Sequence, residues 1–548
     1  MRTLPNQVRL SDRSLFTFLI RSDHYFARLR PEVPRVSAIF TSAIVENTAQ
    51  PSSVVRSVAV HFFDPIGSFF LHACTRGSPG VESLGISRVD APPGLFHYID
   101  MTSPWMLAME IVRRLQTAGF EAYWVGGCVR DRLLGQNPKD FDIATSASPT
   151  ETQKIFALTK VVGKQFGVVL VVEAGRQFEV ATFRAEADYQ DGRHPQTVTF
   201  GNAQADAQRR DFTVNGLFYD PIAERLFDWV GGEADLRNRL LRAIGSPRDR
   251  FSEDHLRLLR AVRFAAELNF DIEAQTLTGI QSLAPLVQSV SAERIREELV
   301  KLFRPPHASR GLLLLRESGL LPQVLPEIDR LITCDQSPGF HPEGSVFEHV
   351  RCLLNCLPPD ACLSLVWAAL LHDIAKPATL ARDPKDQTLH FYGHETVGAE
   401  IAECILRRLR FPRRQIETIC ECVRHHMQFK DAPRMRQSTL RRLLLRATFP
   451  LELELHRLDC LGSHGSLEIF DFLTNQAEQL NHHPPWRPPL LNGSDLMALG
   501  AKPGPKLGAL LAEIREKQLL DELTTIDDAK AWARQRLAHP ASGEPAAG

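Results

Sequence analysis

From Leu107 to Phe120 the segment LAMEIVRRLQTAGF repeats its apolar residues at helical spacing, which predicts a helix that Gly119 stops. EAYWVGG (121–127) then reads as a short apolar strand running into two glycines. In KDFDIAT (139–145) apolar and polar positions alternate, which predicts a strand with Asp140 and Asp142 on one face and Phe141 and Ile143 on the other. QFEVATF (177–183) is another strand, and RRDFTVNGLFYD (209–220) sets charged and polar residues ahead of an apolar strand. SEDHLRLLRAVRFAAEL (252–268) has helical spacing, with Ser252 in the capping position. Helical patterns dominate from VFEHVRCLLNCL (346–357) onward. Residues 1 to about 100 are different: their periodicity is weak and they carry no motif tied to chemistry. They are expected to be a poorly ordered extension, or to precede a working protein that begins near Met101 or Met106.

The strand-to-helix turn at Gly126-Gly127 lets backbone amides approach an anion, with Arg130 as a charged partner. Two carboxylates on one strand face repel each other, so Asp140 and Asp142 call for a cation between them. Mg²⁺ suits such hard oxygen ligands and the phosphates of a substrate. Arg209, Arg210, Asp211 and Asn215 add cations for a triphosphate and polar groups for a ribose or metal. Asp254 and Arg257 lie three apart on the predicted helix, beside Glu253, where a carboxylate and a guanidinium can address a nucleobase edge.

A second group of chemistry-bearing residues lies downstream. His349 falls on a helix, and LSLVWAALLHDIAKP (363–377) ends an apolar helix with His372-Asp373. YGHETVGAEIAECIL offers His394, ICECVRHHMQF offers His425 and His426, and HRLDCLGSHG offers Asp459. Ionisable groups emerging from a buried helix need partners or a metal.

Composition narrows the picture. A chain of 548 residues fits two to four domains, and its 44% hydrophobic and 24% charged residues are those of a globular protein. The net charge of −1 gives no general signal for nucleic acid, so RNA is expected to meet local basic faces, RRLRFPRR (407–414) and RMRQSTLRRLLLR (434–446). RAEADYQDGRHPQTVTFG (184–201) reads as a mobile loop between strands. The cysteines form no CxxC pair, and Cys352/Cys356 and Cys420/Cys422 sit in apolar helical patterns, which suits core thiols in a reducing compartment. No apolar run approaches the roughly 20 residues that span a bilayer, so a cytoplasmic protein is expected.

GGCVRDRLLG, DFD, RRDFTVNG and EDHLRLLRAVRF, in this order and at these separations, resemble the class II tRNA nucleotidyltransferase and bacterial poly(A) polymerase family. The resemblance runs from about Met106 to the C-terminus. It implies an α+β chain: a polymerase-beta-like nucleotidyltransferase head (106–245), a helical base-selection and RNA-binding body (246–330), an HD-like helical metal domain (331–480) and a helical tail (481–548), after the extension at 1–105. It implies that Asp140 and Asp142 hold catalytic Mg²⁺. The incoming nucleotide would meet Gly126, Gly127, Arg130 and the segment from Arg210 through Asp211 to Asn215, while Asp254 and Arg257 select CTP and ATP. The third carboxylate falls to Glu179 or Asp211, with Asp211 preferred. The downstream histidines resemble the HD phosphohydrolase superfamily, whose divalent-metal ligands map to His349, His372, Asp373 and Asp459. The implied activity is addition of CMP and AMP to the tRNA 3′ end with release of pyrophosphate, and the implied side activity is hydrolysis of phosphomonoesters or 2′,3′-cyclic phosphodiesters. The runner-up is a poly(A) polymerase. VVGKQFGVVLVVE (161–173), with only Lys164 charged before Glu173, leans to the tRNA enzyme. A CC-only or A-only adder and, from another class, an RNA-binding phosphohydrolase with an inactive head are the other readings.

Overall fold

The computed structural model describes residues 103–161, 167–185, 200–337, 344–385, 387–482 and 488–538, together with four strands within residues 1–101. The chain divides into two units, 1–101 and 102–548. In the first, β1 (Ile39–Ser42), β2 (Ser57–Phe63), β3 (Phe69–Thr75) and β4 (Ser87–Arg88) form an antiparallel sheet in that order, where the sequence pattern predicts none. Most of the polar loop read at 184–201, and Lys164, lie outside the described residues.

The second unit opens with α1 (Pro104–Thr117), capped by Ser103, whose hydroxyl accepts from the Met106 amide. The head sheet follows: β5 (Ala122–Val125), β6 (Asp142–Thr145), β7 (Thr159–Val161), β8 (Val168–Glu173), β9 (Arg176–Thr182), β10 (Phe218–Asp220) and β11 (Arg225–Phe227). Interleaved with them are α2 (Gly127–Leu133), α3 (Pro149–Ile155) and α4 (Ala203–Gln208). The strand order is β11-β10-β5-β6-β9-β8-β7, with only β6 and β9 parallel. Register puts Trp124 beside Ile143, both buried in one core with Ile111, Val112 and Leu115 of α1. On the opposite face Val125, Ala144 and Phe218 pack under Ala203 and Ala207 of α4. Burying an aliphatic or aromatic side chain of this size contributes roughly 1.5–3 kcal/mol, so both faces of the sheet are fixed.

Next come α5 (Gly232–Arg237), β12 (Leu240–Leu241), α6 (Pro247–Glu253), α7 (Leu256–Leu268), β13 (Asp271–Ile272), α8 (Ala274–Leu283), α9 (Ala292–Leu302), α10 (Ala308–Glu317), α11 (Leu321–Val324) and α12 (Pro326–Asp329). One helix predicted over 252–268 is thus two. Asp254 stands extended between them (φ −144°, ψ 106°), and its carboxylate accepts the Leu256 amide, starting α7 afresh. Ser246 caps α6, while the Ser252 hydroxyl donates to the Arg248 carbonyl inside that helix, which corrects the expected cap.

Helices continue as α13 (Val346–Asn355), α14 (Leu363–Leu371), α15 (Lys376–Thr379), α16 (His394–Arg408), α17 (Arg413–His425), α18 (Gln437–Leu444), α19 (Phe449–Gly462) and α20 (Glu468–His482). A hairpin, β14 (Leu380–Arg382) and β15 (Leu389–Phe391), sits between α15 and α16. In the tail, α21 (Gly493–Ala498), α22 (Pro505–Leu519) and α23 (Ile526–Ala538) share a small core of their own. Among the described residues no helix is long and apolar enough to cross a membrane.

Arginine–carboxylate pairs fasten the head sheet to α6 and α7. Asp211, just after α4, is buried. Its Oδ2 accepts from the Arg260 guanidinium (2.9 and 2.6 Å), and its Oδ1 accepts from the Phe212 amide (2.8 Å) and Asn215 Nδ2 (3.1 Å). Arg250 donates to the Gln208 carbonyl (2.9 Å) and Arg257 to the Arg209 carbonyl (3.2 Å). Burial alone raises the Asp211 carboxyl, but Arg260 and Asn215 outweigh it and bring the pKa down from 3.8 to about 2. A depressed carboxyl stabilises the fold above its unfolded pKa and loses that contribution as pH falls through the folded value. Asp211→Asn is therefore expected to cost about 2 kcal/mol at neutral pH. Urea unfolding should show the gap to the wild type closing as pH falls from 3.8 toward 2, and a gap independent of pH would remove the pair from this role.

Candidate active site and metal centre

The site of the head is built by strand register. Val125, Asp142 and Glu179 lie side by side on β5, β6 and β9, so parallel pairing of β6 with β9 sets the Asp142 and Glu179 carboxylates next to each other. Asp140 precedes the strand, in a bend, rather than lying within it as the alternation predicts. Phe141 between them is buried against Trp124, with ring centroids 4.9 Å apart, which anchors the stretch. Surrounding protein, then Glu179, then Asp140 raise the pKa of Asp142, while Arg210 opposes them. Hard carboxylates with one cation nearby are the type of donor that a divalent ion takes through oxygen.

Gly126 adopts φ +72°, ahead of α2, and its amide donates to the Leu217 carbonyl (3.1 Å). A Cβ there would stand 3.0 Å from Arg210 Nη1, so the turn needs glycine for its backbone and for the approach of that guanidinium. Gly127 begins α2, as the pattern indicates. Arg210 also pairs with buried Asp206 (3.0 Å) and lies over the Phe218 ring (5.1 Å). Arg130 is buried, donating to Asp131 (2.7 Å) and to Asn215 Oδ1 (2.7 Å). Arg130, Asn215 and Asp211 thus form one chain of hydrogen bonds that shapes the turn around residues 211–216.

Two expectations change. Asp211, preferred as the third carboxylate, has both oxygens engaged by Arg260, Asn215 and Phe212, whereas Glu179 stands in register with Asp142. Asp254 and Arg257 do not form a pair across one helix face. The Arg257 guanidinium is held by Glu253 and by the Arg250 carbonyl (2.9 Å), and Asp254 pairs with Arg294 of α9 (3.0 Å). Glu253 also takes Arg250 (3.0 Å), which makes it the shared acceptor that the sequence reading left beside the pair without a role.

Downstream, His349, His372 and Asp459 bring three ligand atoms within 4.8 Å of one another, and Asp373, His394 and His426 do the same. Asp373 links the two groups, with Oδ2 at 3.2 Å from His372 Nε2 and Oδ1 at 3.4 Å from His394 Nε2. All of them are buried except Asp459, which is partly exposed. Burial disfavours the Asp373 carboxylate, but His372, Lys376 and His394 hold it well below the usual range. Burial likewise disfavours the Asp459 carboxylate, but its hydrogen bond to His349 and the charge of His372 hold it below the usual range. Burial pushes His426 down to about 3; it also disfavours the charged His394 ring, but the Asp373 carboxylate outweighs it and raises that pKa. The expected set of His349, His372, Asp373 and Asp459 is brought together, and His394 and His426 join it. His425 turns away to Glu452 (3.3 Å).

The two basic stretches are less free than their sequence suggests. Arg407, Arg408 and Arg413 pair with Glu403, Glu327 and Glu417 (2.6, 2.6 and 2.7 Å). Arg441 and Arg442 are held by Asp521 and Glu516 of the tail, and Arg446 by Glu452.

Comparisons with known proteins agree with this layout. Residues 122–242 match the family described as Poly A polymerase head domain, 269–332 the probable RNA and SrmB-binding site of polymerase A, and 350–454 the HD domain. The chain is 45% identical over 229 residues to a CCA-adding enzyme of Streptococcus gordonii, covering 42% of this chain and 57% of that relative. The match therefore spans little more than half of that protein. It is 36% identical over 434 residues to an A-adding tRNA nucleotidyltransferase of Deinococcus radiodurans, covering 76% of this chain and 96% of that one. It is 33% identical over 447 residues to a CCA-adding enzyme of Streptococcus pyogenes, covering 80% and 98%. The crystal structure of a Bacillus stearothermophilus CCA-adding enzyme in complex with CTP superposes with a TM-score of 0.62 at 28% identity, over 80% of this chain and 98% of that one. With the head, the RNA-binding segment and the HD domain matched in order, and relatives aligned over nearly their whole length, the chain belongs to the tRNA nucleotidyltransferase family that includes the CCA-adding and A-adding enzymes.

Proposed function

We propose that this chain adds CMP and AMP, from CTP and ATP, to the 3′ end of tRNA without a template and releases pyrophosphate, working in the cytoplasm. The observation that carries this reading is the register of β6 and β9, which sets Asp142 against Glu179 beside Arg210 and the Gly126 turn. Asp140, Asp142 and Glu179 would hold Mg²⁺, which when bound neutralises the facing carboxylates and the triphosphate. Arg210 would meet a phosphate, and the missing Cβ of Gly126 leaves room for its guanidinium. Arg130, Asn215 and Asp211 position that turn through their hydrogen-bond chain. Base choice falls to Arg257, oriented by Glu253, with Asp254 held nearby by Arg294. The domains we assign are the head at 106–245, the body at 246–330, the HD-like region at 331–480 and the tail at 481–548. In the HD-like region the imidazole-rich set suits a divalent transition metal and hydrolysis of phosphate esters as a side activity.

Addition of AMP alone is the second reading, favoured by the long match to the A-adding enzyme of Deinococcus radiodurans. Incubation with Mg²⁺ and single nucleotides decides between them. Ordered CCA products on tRNA lacking all three residues support the first reading, and incorporation only on tRNA ending in CC supports the second. A long A tail would indicate a poly(A) polymerase, and no incorporation an inactive head.

Asp142→Ala is expected to abolish incorporation while leaving tRNA affinity within a few-fold, because transition-state charge stabilisation is lost and phosphate contacts are kept. Incorporation above a few per cent of the wild type would exclude Asp142 from the metal site. The double change His372→Ala with Asp373→Ala should remove any metal-dependent phosphatase activity yet retain most nucleotide addition. If the folded double variant stops adding nucleotides, the two sites are not independent.

For base choice, Arg257→Ala should relax the preference among the four nucleotides by about tenfold or more, since a hydrogen-bonding site left unpaired costs about 1–3 kcal/mol. Glu253→Gln should shift it the same way. The check is kcat/KM for CTP, ATP, UTP and GTP on one tRNA, where a uniform loss with unchanged preference would make Arg257 structural only.

A further inference from the structure

Asp206 lies on α4, and only 1% of its surface is exposed. A carboxylate taken so far from water needs charged or hydrogen-bonding partners for both oxygens. Its Oδ1 accepts from the Arg209 guanidinium, with Nε at 2.9 Å, and from the Arg184 amide at 3.1 Å. Its Oδ2 accepts from Arg210 Nε and Nη2, at 3.3 and 3.0 Å. Arg209 and Arg210 stand three and four residues on, the spacing at which one helical turn brings both guanidiniums back to a single carboxylate. The Arg184 amide comes just past the end of β9, the strand that carries Glu179, so the same carboxylate ties that strand to α4.

This grip leaves one end of Arg210 over. Asp206 takes Nε and Nη2, the Phe218 ring centroid lies 5.1 Å from the guanidinium, and Nη1 stands where a Cβ on Gly126 would come within 3.0 Å of it. Among the described residues Nη1 has no hydrogen-bond partner. Two adjacent guanidiniums repel each other, and Arg210 also feels the Asp142 carboxylate, whose charged form it favours. Left without Asp206, Arg210 would be drawn to Asp142, and its charge would fall on that carboxylate rather than on a phosphate. Burial disfavours the charged Asp206, but Arg210 and then Arg209 outweigh it and lower its pKa, so it stays ionised beside the two cations.

We propose that Asp206 is a positioning residue for the incoming triphosphate: it fixes Arg210, with Arg209 beside it, so that Nη1 meets a phosphate at the Gly126 turn instead of closing on Asp142. This rests on the reading of the head as a nucleotidyltransferase and adds the group that sets its phosphate-facing cation. One carboxylate against two guanidiniums leaves positive charge in excess for an anionic ligand. Arg257, assigned to base choice, is not among the partners of the Asp206 carboxylate, so the effect falls on every nucleoside triphosphate alike.

The test is Asp206→Asn in the full chain, which keeps the size of the side chain and removes its charge. KM for CTP and for ATP should each rise about tenfold or more, and the inhibition constant of inorganic pyrophosphate should rise with them. The change in kcat should stay below about threefold, with tRNA affinity and the preference among the four nucleotides as in the wild type. Combined with Arg210→Ala, which raises KM by itself, Asp206→Asn should add less than about twofold, because it acts through that arginine. Losses that multiply in the double variant, or a loss confined to kcat, would make Asp206 structural only and overturn the proposal. Where circular dichroism shows the asparagine variant unfolded, Arg210→Lys takes its place, since a lysine cannot pair with Asp206 and present a second donor in a fixed fork. It should give the same rise in KM and in the pyrophosphate constant. An unchanged KM in whichever folded variant is measured would overturn the positioning role and leave nucleotide addition by the wild type standing. A wild-type chain that incorporates no nucleotide would instead overturn the reading of the head, and this proposal with it.

Discussion

The ion pair between Asp211 and Arg260 is the constraint on which the head depends. Its carboxylate is buried, the pair reaches from the segment after α4 to the middle of α7, and the carboxylate also collects the Phe212 amide and the Asn215 side chain. A buried charge left without its partner is strongly destabilising, commonly by 3–5 kcal/mol, so the turn and the helix are obliged to meet. Once they do, Asn215 is placed to receive Arg130, and Arg257 finds the Arg209 carbonyl. The segment proposed to contact phosphates and the helix proposed to contact the base are therefore parts of one rigid joint.

The same joint explains why Asp211 was attractive as a catalytic residue and why it is better read as a positioning one. In the sequence it is an acidic residue amid cations, two residues after Arg209, and nothing local distinguishes a metal ligand from the anchor of an arginine. Glu179 is the reverse case. Its place beside Asp142 depends on a parallel pairing between strands separated by a helix and two further strands, and pairing of that kind is not written in period-two alternation.

Much of the fold is legible because its signals are local. Helix α1 with its Gly119 stop, the strand leading into Gly126, and the apolar helix ending in His372 all follow from residue spacing alone. The break between α6 and α7 was not legible, since SEDHLRLLRAVRF (252–264) keeps its helical period across it and only the competition of the Asp254 carboxylate for the Leu256 amide ends the first helix. The arginine stretches misled for a related reason. Composition registers a cation but not its partner, and the partners of Arg408, Arg441 and Arg442 lie about 80 residues away in the chain. The sheet within residues 1–101 had no sequence signal strong enough to name.

The histidine cluster also bears on how the helical half is held together. Its side chains come from α13, the end of α14, the start of α16, the end of α17 and α19, and all nine described cysteines are free thiols. A chain that makes no covalent links between these helices can still be knotted at one point by coordination, and such a knot restricts the unfolded chain much as a disulfide does. With a metal bound there, cellular metal supply would become a term in this domain's lifetime: a starved cell would hold the same polypeptide with a looser middle, more open to proteases along residues 349–459, while the strands of the head kept their order.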